Sequence, residues 1–304
     1  MQKKIIVTGG LGFVGKNFIK YFHNNLEKII VVDKVSHHSD KIFFKNFKFN
    51  NIEFINEDIG NISFQKILDL NDYDIINFAS ESHVDRSFEN PVFFSNSNYI
   101  STHKFLEKLK NKKFKGRFLH VSTDEVYGES KSNPASETQL LRPTNPYSTS
   151  KAAADILCQT YYRCYNLNIV IIRPNNIYGP YQHVEKIIPA TISSIHNDKK
   201  INIQGDGMQK RSFLHVNDFN SACEILLNHE WNELEDRIFN ISSNNEFTIM
   251  ELVKKIVSFS NKNTDKCIAF ISDRIYNDFR YLVSSDRIEK LGWSEKVNFE
   301  EEIK

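Results

Sequence analysis

Tyr147-Ser148-Thr149-Ser150-Lys151 sets a phenol and an ammonium one turn apart on the same face of a helix. An ammonium beside a phenol lowers its pKa from a reference value of roughly 10. The phenolate so formed can take the proton of an alcohol while a hydride leaves that alcohol's carbon. A second group of reactive side chains lies upstream, in Ser122-Thr123-Asp124-Glu125-Val126-Tyr127-Gly128. The Thr123 hydroxyl can hydrogen-bond a reacting hydroxyl. Asp124 and Glu125 are neighbouring acids, and they can play opposite roles if their surroundings hold one protonated and the other ionised. An Asp-Glu pair usually marks an exposed loop. This one follows a short apolar run, at a place where α/β sheets present their ligand-binding ends.

The hydride needs an acceptor, and the start of the chain offers a place for one. Gly9-Gly10-Leu11-Gly12-Phe13-Val14-Gly15 joins a β-branched run to a helical stretch. In that setting Gly9 permits a sharp turn, Gly12 lets the backbone approach a pyrophosphate, and Gly15 lets helix and strand pack closely. The helix N-terminus adds free N–H groups and the positive end of its dipole. Asp33 closes the next apolar run, where a carboxylate accepts from an adenosine ribose and repels a 2′-phosphate. The expected cofactor is therefore NAD. Asp58, after the third run, is a candidate for the adenine amino group.

These residues need a sheet to hold them. Strand-like runs fall at Lys4–Thr8, Lys28–Val32, Ile52–Ile55, Asp74–Phe78, Arg117–Val121, Asn168–Ile172 and Arg237–Ile241. Helical patterns alternate with them, from Phe13 to Asn24 and over Pro91–Lys110 and Tyr147–Tyr165. That alternation predicts an α/β, Rossmann-type doubly wound parallel sheet. After Arg173 it weakens into shorter segments with helices near Asp218–Leu227 and Thr248–Ser260. The expected division is a dinucleotide-binding domain over residues 1–173, with a returning strand near 237–241, and a smaller interleaved lobe over 174–304. Ser36–Asn50 reads as a polar excursion without an assigned role.

Composition narrows the function classes. The 304 residues are 40% hydrophobic and 25% charged, as in an ordinary globular protein. Lys+Arg of 39 against Asp+Glu of 38, scattered along the chain, gives no basic stripe for nucleic acid or a membrane surface. No apolar run approaches the ~20 residues of a membrane span, and Met1-Gln2-Lys3-Lys4 leads straight into a strand. The four cysteines form no CxxC pair and no metal site is expected. A cytoplasmic location is the expectation.

The chain resembles the extended short-chain dehydrogenase/reductase superfamily and, within it, dTDP-glucose 4,6-dehydratases. The likeness is carried by Thr8–Gly15, Asn77–Ser87, Ser122–Gly128, Asn145–Lys151, Arg173–Pro189, Gly205–Asp218 and Arg274–Tyr281. Relatives that only epimerise usually lack the acidic pair, and GDP-mannose dehydratases keep only its glutamate. The resemblance implies that Tyr147, with Lys151 and Thr123, serves oxidation at carbon 4 of a hexose. It implies Glu125 as the base at carbon 5 and Asp124 as the acid at the carbon 6 hydroxyl. It extends the NAD site to Phe13, Val14, Ile59, Ala79, Ser80, Lys151 and Asn176. For the substrate it implies Ser82, His83, Asn175, Lys186, Arg211, Asn245 and Arg274, with Arg211 as the leading diphosphate ligand.

Asn202 and Gln204 stand where relatives commonly carry an apolar and an aromatic residue near the nucleobase. An amide can pair with thymine or uracil, so dTDP-glucose and UDP-glucose both stay open. The other enzyme reading is a 4-epimerase or decarboxylase on the same fold. A catalytically dead NAD-binding regulator would be expected to lack Tyr147, Lys151 or the acidic pair. The resemblance also implies a homodimer through a four-helix interface built from Pro91–Lys110 and Tyr147–Tyr165.

Overall fold

The computed structural model describes residues 3–36, 39, 43, 50–130, 132–260, 262 and 267–304. Its centre is a seven-stranded sheet made of β1 (Lys4–Thr8), β2 (Lys28–Asp33), β3 (Ile52–Asn56), β4 (Tyr73–Asn77), β5 (Arg117–Val121), β6 (Asn168–Pro174) and β10 (Ile238–Ile241). The strand order is β10-β6-β5-β4-β1-β2-β3 and every pairing is parallel. The expected doubly wound α/β architecture is the one found.

Alternation along each strand divides the core. Ile5, Val7, Ile29 and Val31 point to one face, against Phe18, Ile19 and Phe22 of α1 (Phe13–Phe22). Ile6, Ile30 and Ile75 point to the other, against residues of two helices described below. Both faces are covered, which is why these strands read as continuous apolar runs. The strand order reverses between β1 and β4. Connections from their carboxyl ends leave in opposite directions there and open a crevice.

Two elements differ from expectation. The helix expected over Pro91–Lys110 is present and unbroken, but its middle is widened. After α2 (Val84–Glu89), the chain forms α3 (Pro91–Phe94), a wide π-helical segment (Ser95–Ile100) and α4 (Ser101–Asn111). The cause lies in the buried Asn98. Its amide accepts from Glu81 N at 2.7 Å and donates to Glu81 O at 3.0 Å and to the Ser150 hydroxyl at 2.9 Å. Widened turns of this kind let a side chain serve a neighbouring loop, and they cluster at functional sites. The other difference is at β6, which continues past Ile172 to Pro174 and so carries Arg173 into the core.

Helix α5 (Pro146–Tyr165) covers the same face as α4, with Phe105 and Leu106 beside Cys158 and Tyr161. Beyond β6 lies a smaller body. It holds a three-stranded sheet of β7 (Asn176–Tyr178), β9 (Lys210–His215) and β11 (Glu246–Thr248). A two-stranded pair joins β8 (Ile201–Gln204) to β12 (Ile268–Ile271). Helices α6 (Ile187–His196) and α8 (Ile249–Ser258) pack there, and Thr248 with Glu251 forms a capping box at the start of α8. Between them in sequence, α7 (Val216–Asn228) returns to pack on the large sheet, as β10 returns to pair with β6. Of the polar excursion, residues 37, 38, 40–42 and 44–49 lie outside the described residues.

Candidate active site

A cavity of about 950 Å³ occupies the crevice between the large sheet and the smaller body. That is at the upper end of the range for ligand sites. Gly9, Gly12, Phe13, Val14 and Gly15 line one end of it. Gly9 has φ +68°, and a Cβ there would sit 2.7 Å from Ala79 N. A Cβ on Gly15 would sit 2.5 Å from Gly9 O. No other residue fits either position without moving backbone. Asp33 lines the same end and braces the turn, accepting from Leu11 N at 3.0 Å, Val35 N at 2.8 Å and the Ser39 hydroxyl at 3.0 Å. Asp58, Ile59, Ala79, Ser80 and Asn176 are also in the wall. A dinucleotide fits this set: glycine backbone and a helix start for phosphates, a carboxylate for a ribose.

The middle of the cavity belongs to the ends of β5 and α5. Asn145 caps α5 by accepting from Ser148 N at 2.8 Å, with Pro146 in the first turn. This start fixes Tyr147 facing the cavity and Lys151 one turn deeper. Lys151 donates to Val121 O at 2.6 Å. Burial lowers its pKa to about 8. Burial raises the phenol's pKa, the negative charge of Glu125 raises it further, and only the hydrogen bond with Thr123 opposes them. The ammonium is held by a strand carbonyl.

Past β5 the chain turns into a 3₁₀ segment, Asp124–Tyr127, capped by the Thr123 hydroxyl, which accepts from Glu125 N at 3.3 Å. Thr123 and Glu125 line the cavity. Asp124 sits behind that wall, accepting from Asn175 Nδ2 at 2.7 Å and from the Thr123 hydroxyl at 3.1 Å. Burial, then the charge of Glu125, raise the Asp124 pKa to about 7. Burial also raises Glu125, but Arg211 opposes it first, followed by the Asn145 amide, Lys186 and Arg274. Burial raises both acids; hydrogen bonds from Asn175 and Thr123 chiefly oppose it at Asp124, and the charge of Arg211 chiefly opposes it at Glu125. Beneath the turn, buried Arg173 donates to both oxygens of Asp155 on α5 at 2.7 and 2.8 Å, and to Tyr127 OH at 2.6 Å. The acidic segment and the Tyr147 helix are therefore locked to the same strand.

The other end of the cavity is built by the smaller body. Ser82, His83, Asn175, Lys186, Asn202, Gln204, Arg211 and Arg274 all line it. Burial, then the nearby Lys186 charge, lower the His83 pKa. Arg211 is aimed by a loop: it donates to Asp278 O at 2.9 Å and Asn277 Oδ1 at 3.1 Å, and its guanidinium lies 4.6 Å over the Tyr281 ring. Arg274 donates to Gln204 Oε1 at 2.8 Å and pairs with Asp85 at 3.1 Å, while Gln204 Nε2 donates to Asp85 at 3.1 Å. The Gln204 amide is thus engaged at both ends, and Asn202 is the more exposed of the two amides. Asn245 falls outside the cavity lining. Its amide donates to Glu295 at 2.8 Å and to the Ser243 hydroxyl at 3.2 Å, so the structure does not bring it to the site. Tyr281, Asn145 and Glu185 were not singled out from the sequence. Tyr281 and Asn145 each reach Glu125 Oε2, at 3.5 and 3.3 Å, and Glu185 accepts from Arg86 at 2.8 Å beside His83. Tyr281 and Asn145 lie within motif segments read from the sequence, yet only the fold shows that both end on one carboxylate. Among the described residues no cluster of His, Cys, Asp or Glu could hold a metal ion. No helix among them is long and apolar enough to cross a membrane.

Comparison with known proteins agrees with this arrangement. The family model described as GDP-mannose 4,6 dehydratase matches residues 6–304. The dTDP-D-glucose 4,6-dehydratase of Mus musculus is 35% identical over 99% of this chain and 87% of its own. The trifunctional UDP-glucose 4,6-dehydratase/UDP-4-keto-6-deoxy-D-glucose 3,5-epimerase/UDP-4-keto-L-rhamnose-reductase of Arabidopsis thaliana is 36% identical over 99% of this chain, which spans 46% of that larger protein. Among solved structures, dTDP-glucose 4,6-dehydratase from Streptomyces venezuelae, with NAD and TYD bound, superposes with a TM-score of 0.91 at 30% identity, covering 99% of this chain and 94% of that one. By the family match and by relatives that align along nearly the whole chain, this protein belongs to the family of sugar-nucleotide 4,6-dehydratases.

Proposed function

We propose that this protein converts a nucleoside-diphosphate glucose, dTDP-glucose or UDP-glucose, to its 4-keto-6-deoxy form, as a hydro-lyase using bound NAD. The observation that carries the reading is the split acidic pair. The Asp124 pKa is raised to about 7 by burial and by Glu125, while Glu125, beside it and also raised by burial, has Arg211, Lys186 and Arg274 opposing that rise. An epimerase or decarboxylase needs no such pair, because neither reaction removes water across carbons 5 and 6.

Bound NAD would supply the hydride acceptor for carbon 4 of the sugar and the hydride donor for carbon 6. Gly9, Gly12, Phe13, Val14, Gly15, Asp33, Asp58, Ile59, Ala79, Ser80, Lys151 and Asn176 would hold it. Tyr147 accepts the proton of the carbon 4 hydroxyl, with Thr123 donating to the same oxygen. The new ketone acidifies the hydrogen at carbon 5, and Glu125 removes it. Asp124, held by Asn175 and Thr123, gives its proton to the departing carbon 6 oxygen, which leaves as water. Arg211, aided by Arg274 and Lys186, neutralises the diphosphate. Ser82, His83 and Asn175 surround the sugar, and Asn202 with Gln204 flanks the base. Asn245 has no part in this assignment, since its amide is held by Glu295.

The reading extends to a homodimer through α4 and α5. Ile156 and Tyr165 on the outer side of α5 are 53% and 48% exposed, and Tyr165 closes a row of rings that runs through the buried Tyr161 to the half-buried His103 and Tyr99 at centroid spacings of 4.9, 5.9 and 6.0 Å. Such a surface favours a partner. The test of the activity is incubation with dTDP-glucose and with UDP-glucose. Alkali-induced absorbance of a 4-keto-6-deoxy sugar supports the proposal, and a 4-epimer or a decarboxylated sugar as sole product contradicts it.

A further inference from the structure

Asp278 has no part in the chemistry above, yet it is a buried carboxylate, 3% exposed, close behind the acidic pair. Its Oδ2 accepts from the Tyr281 phenol and, at 2.6 Å, from the Thr144 hydroxyl. Its Oδ1 is buried and has no hydrogen-bond partner among the described residues. The Tyr281 oxygen lies 3.5 Å from Glu125 Oε2. A phenol has one proton, and two carboxylates compete for it here. The contact with Asp278 is the closer, so the proton lies there and the phenol oxygen presents a lone pair to Glu125.

We propose that Asp278 is a positioning residue for the base: by taking the only proton of Tyr281, it leaves the phenol oxygen as an acceptor for the proton that Glu125 gains from carbon 5. The proposal rests on the reading of Glu125 as that base. Protons balance within it. Carbon 5 loses one, Glu125 gains it, the new carboxyl O–H donates to Tyr281, and the phenol keeps its own proton on Asp278. The Thr144 hydroxyl, bonded to the same Asp278 oxygen, holds that carboxylate in place. The groups facing Glu125 are Arg211, Lys186 and Arg274, whose charges favour its ionised form, with Asp124, Tyr147 and Tyr281 as its acidic neighbours.

Removing Asp278 frees the phenol proton to turn toward Glu125. That stabilises the carboxylate, lowers its pKa and weakens the base. In Asp278→Ala the acidic limb of the kcat/KM profile is expected to move down by about one pH unit, and solvent exchange at carbon 5 to slow roughly tenfold. KM and the oxidation at carbon 4, read as nicotinamide absorbance in a single turnover, should stay near wild type. Asp278→Asn should restore the profile, its amide oxygen replacing Oδ2 and its NH2 filling the space at Oδ1. In a Tyr281→Phe background Asp278→Ala should add no further shift. An unmoved limb and unchanged exchange in Asp278→Ala would overturn the proposal, as would an equal loss in both backgrounds, which marks a merely structural role. If the wild-type protein exchanged no carbon 5 hydrogen, the assignment of Glu125 would fail and take this proposal with it, a result distinct from the other two.

Discussion

Glu125 and Asp124 carry the account at the scale of single residues. Glu125→Gln keeps the shape of the side chain and removes the base. Exchange at carbon 5 should fall by about 10²-fold or more, while oxidation at carbon 4 and NAD content persist. Normal turnover of that variant, followed by product absorbance, would remove Glu125 from the mechanism. Asp124 gives a pH prediction. As an acid it must be protonated, and its pKa is raised to about 7. Dehydration should therefore decline as pH rises through about 7, and a rate flat from pH 6 to 9 would contradict that role. The sequence made the two acids visible but not their difference. Adjacent positions look alike in a chain, and only the fold shows Asp124 facing Asn175 and Thr123 while Glu125 faces Arg211. The same limit explains Tyr147 and Lys151: their spacing was legible, and the carbonyl of Val121 that holds the lysine was not.

At the scale of elements, the parallel sheet was legible because its strands are apolar on both faces and its turns are punctuated by glycine. The glycine turn, the cap at Asn145 and the acids after β5 are local features, so their places follow from sequence. The widened turn within the Pro91–Lys110 helix was not legible, since its side-chain partners are distant in sequence. Asn98 reaches Glu81 and Ser150 and so ties the loop bearing Ser82 and His83 to the helix bearing Tyr147. Asn98→Leu deletes these bonds and leaves the Glu81 N–H unpaired. It should lower stability by about 2–4 kcal/mol and cut kcat more than NAD affinity. Chemical denaturation beside steady-state kinetics checks both, and a wild-type kcat would show that the widened turn has no bearing on catalysis. Asn245 failed for a related reason: Glu295, distant in sequence, holds its amide.

For the whole molecule, the smaller body and the large sheet meet around one cavity, and the chain crosses between them more than once. Helix α7 and β10 return to the large sheet after residues that line the substrate end. The strand returning near 237–241 was legible as an apolar run, whereas the packing of α7 on the large sheet depends on contacts distant in sequence. The aromatic row along α4 and α5 predicts a dimer in sedimentation at micromolar concentration, whereas a monomer alone would leave that surface unexplained. Replacing Ile156 with Lys should weaken the dimer by tenfold or more, since it buries a charge at the seam.

The central claim is that one hydride leaves carbon 4 and returns at carbon 6 of the same sugar. Substrate carrying deuterium at carbon 4 tests it directly, with the product analysed by mass spectrometry and NMR. The account predicts deuterium at carbon 6 of a 4-keto-6-deoxy sugar. Deuterium restored to carbon 4 of an epimer, or lost to solvent, would contradict it.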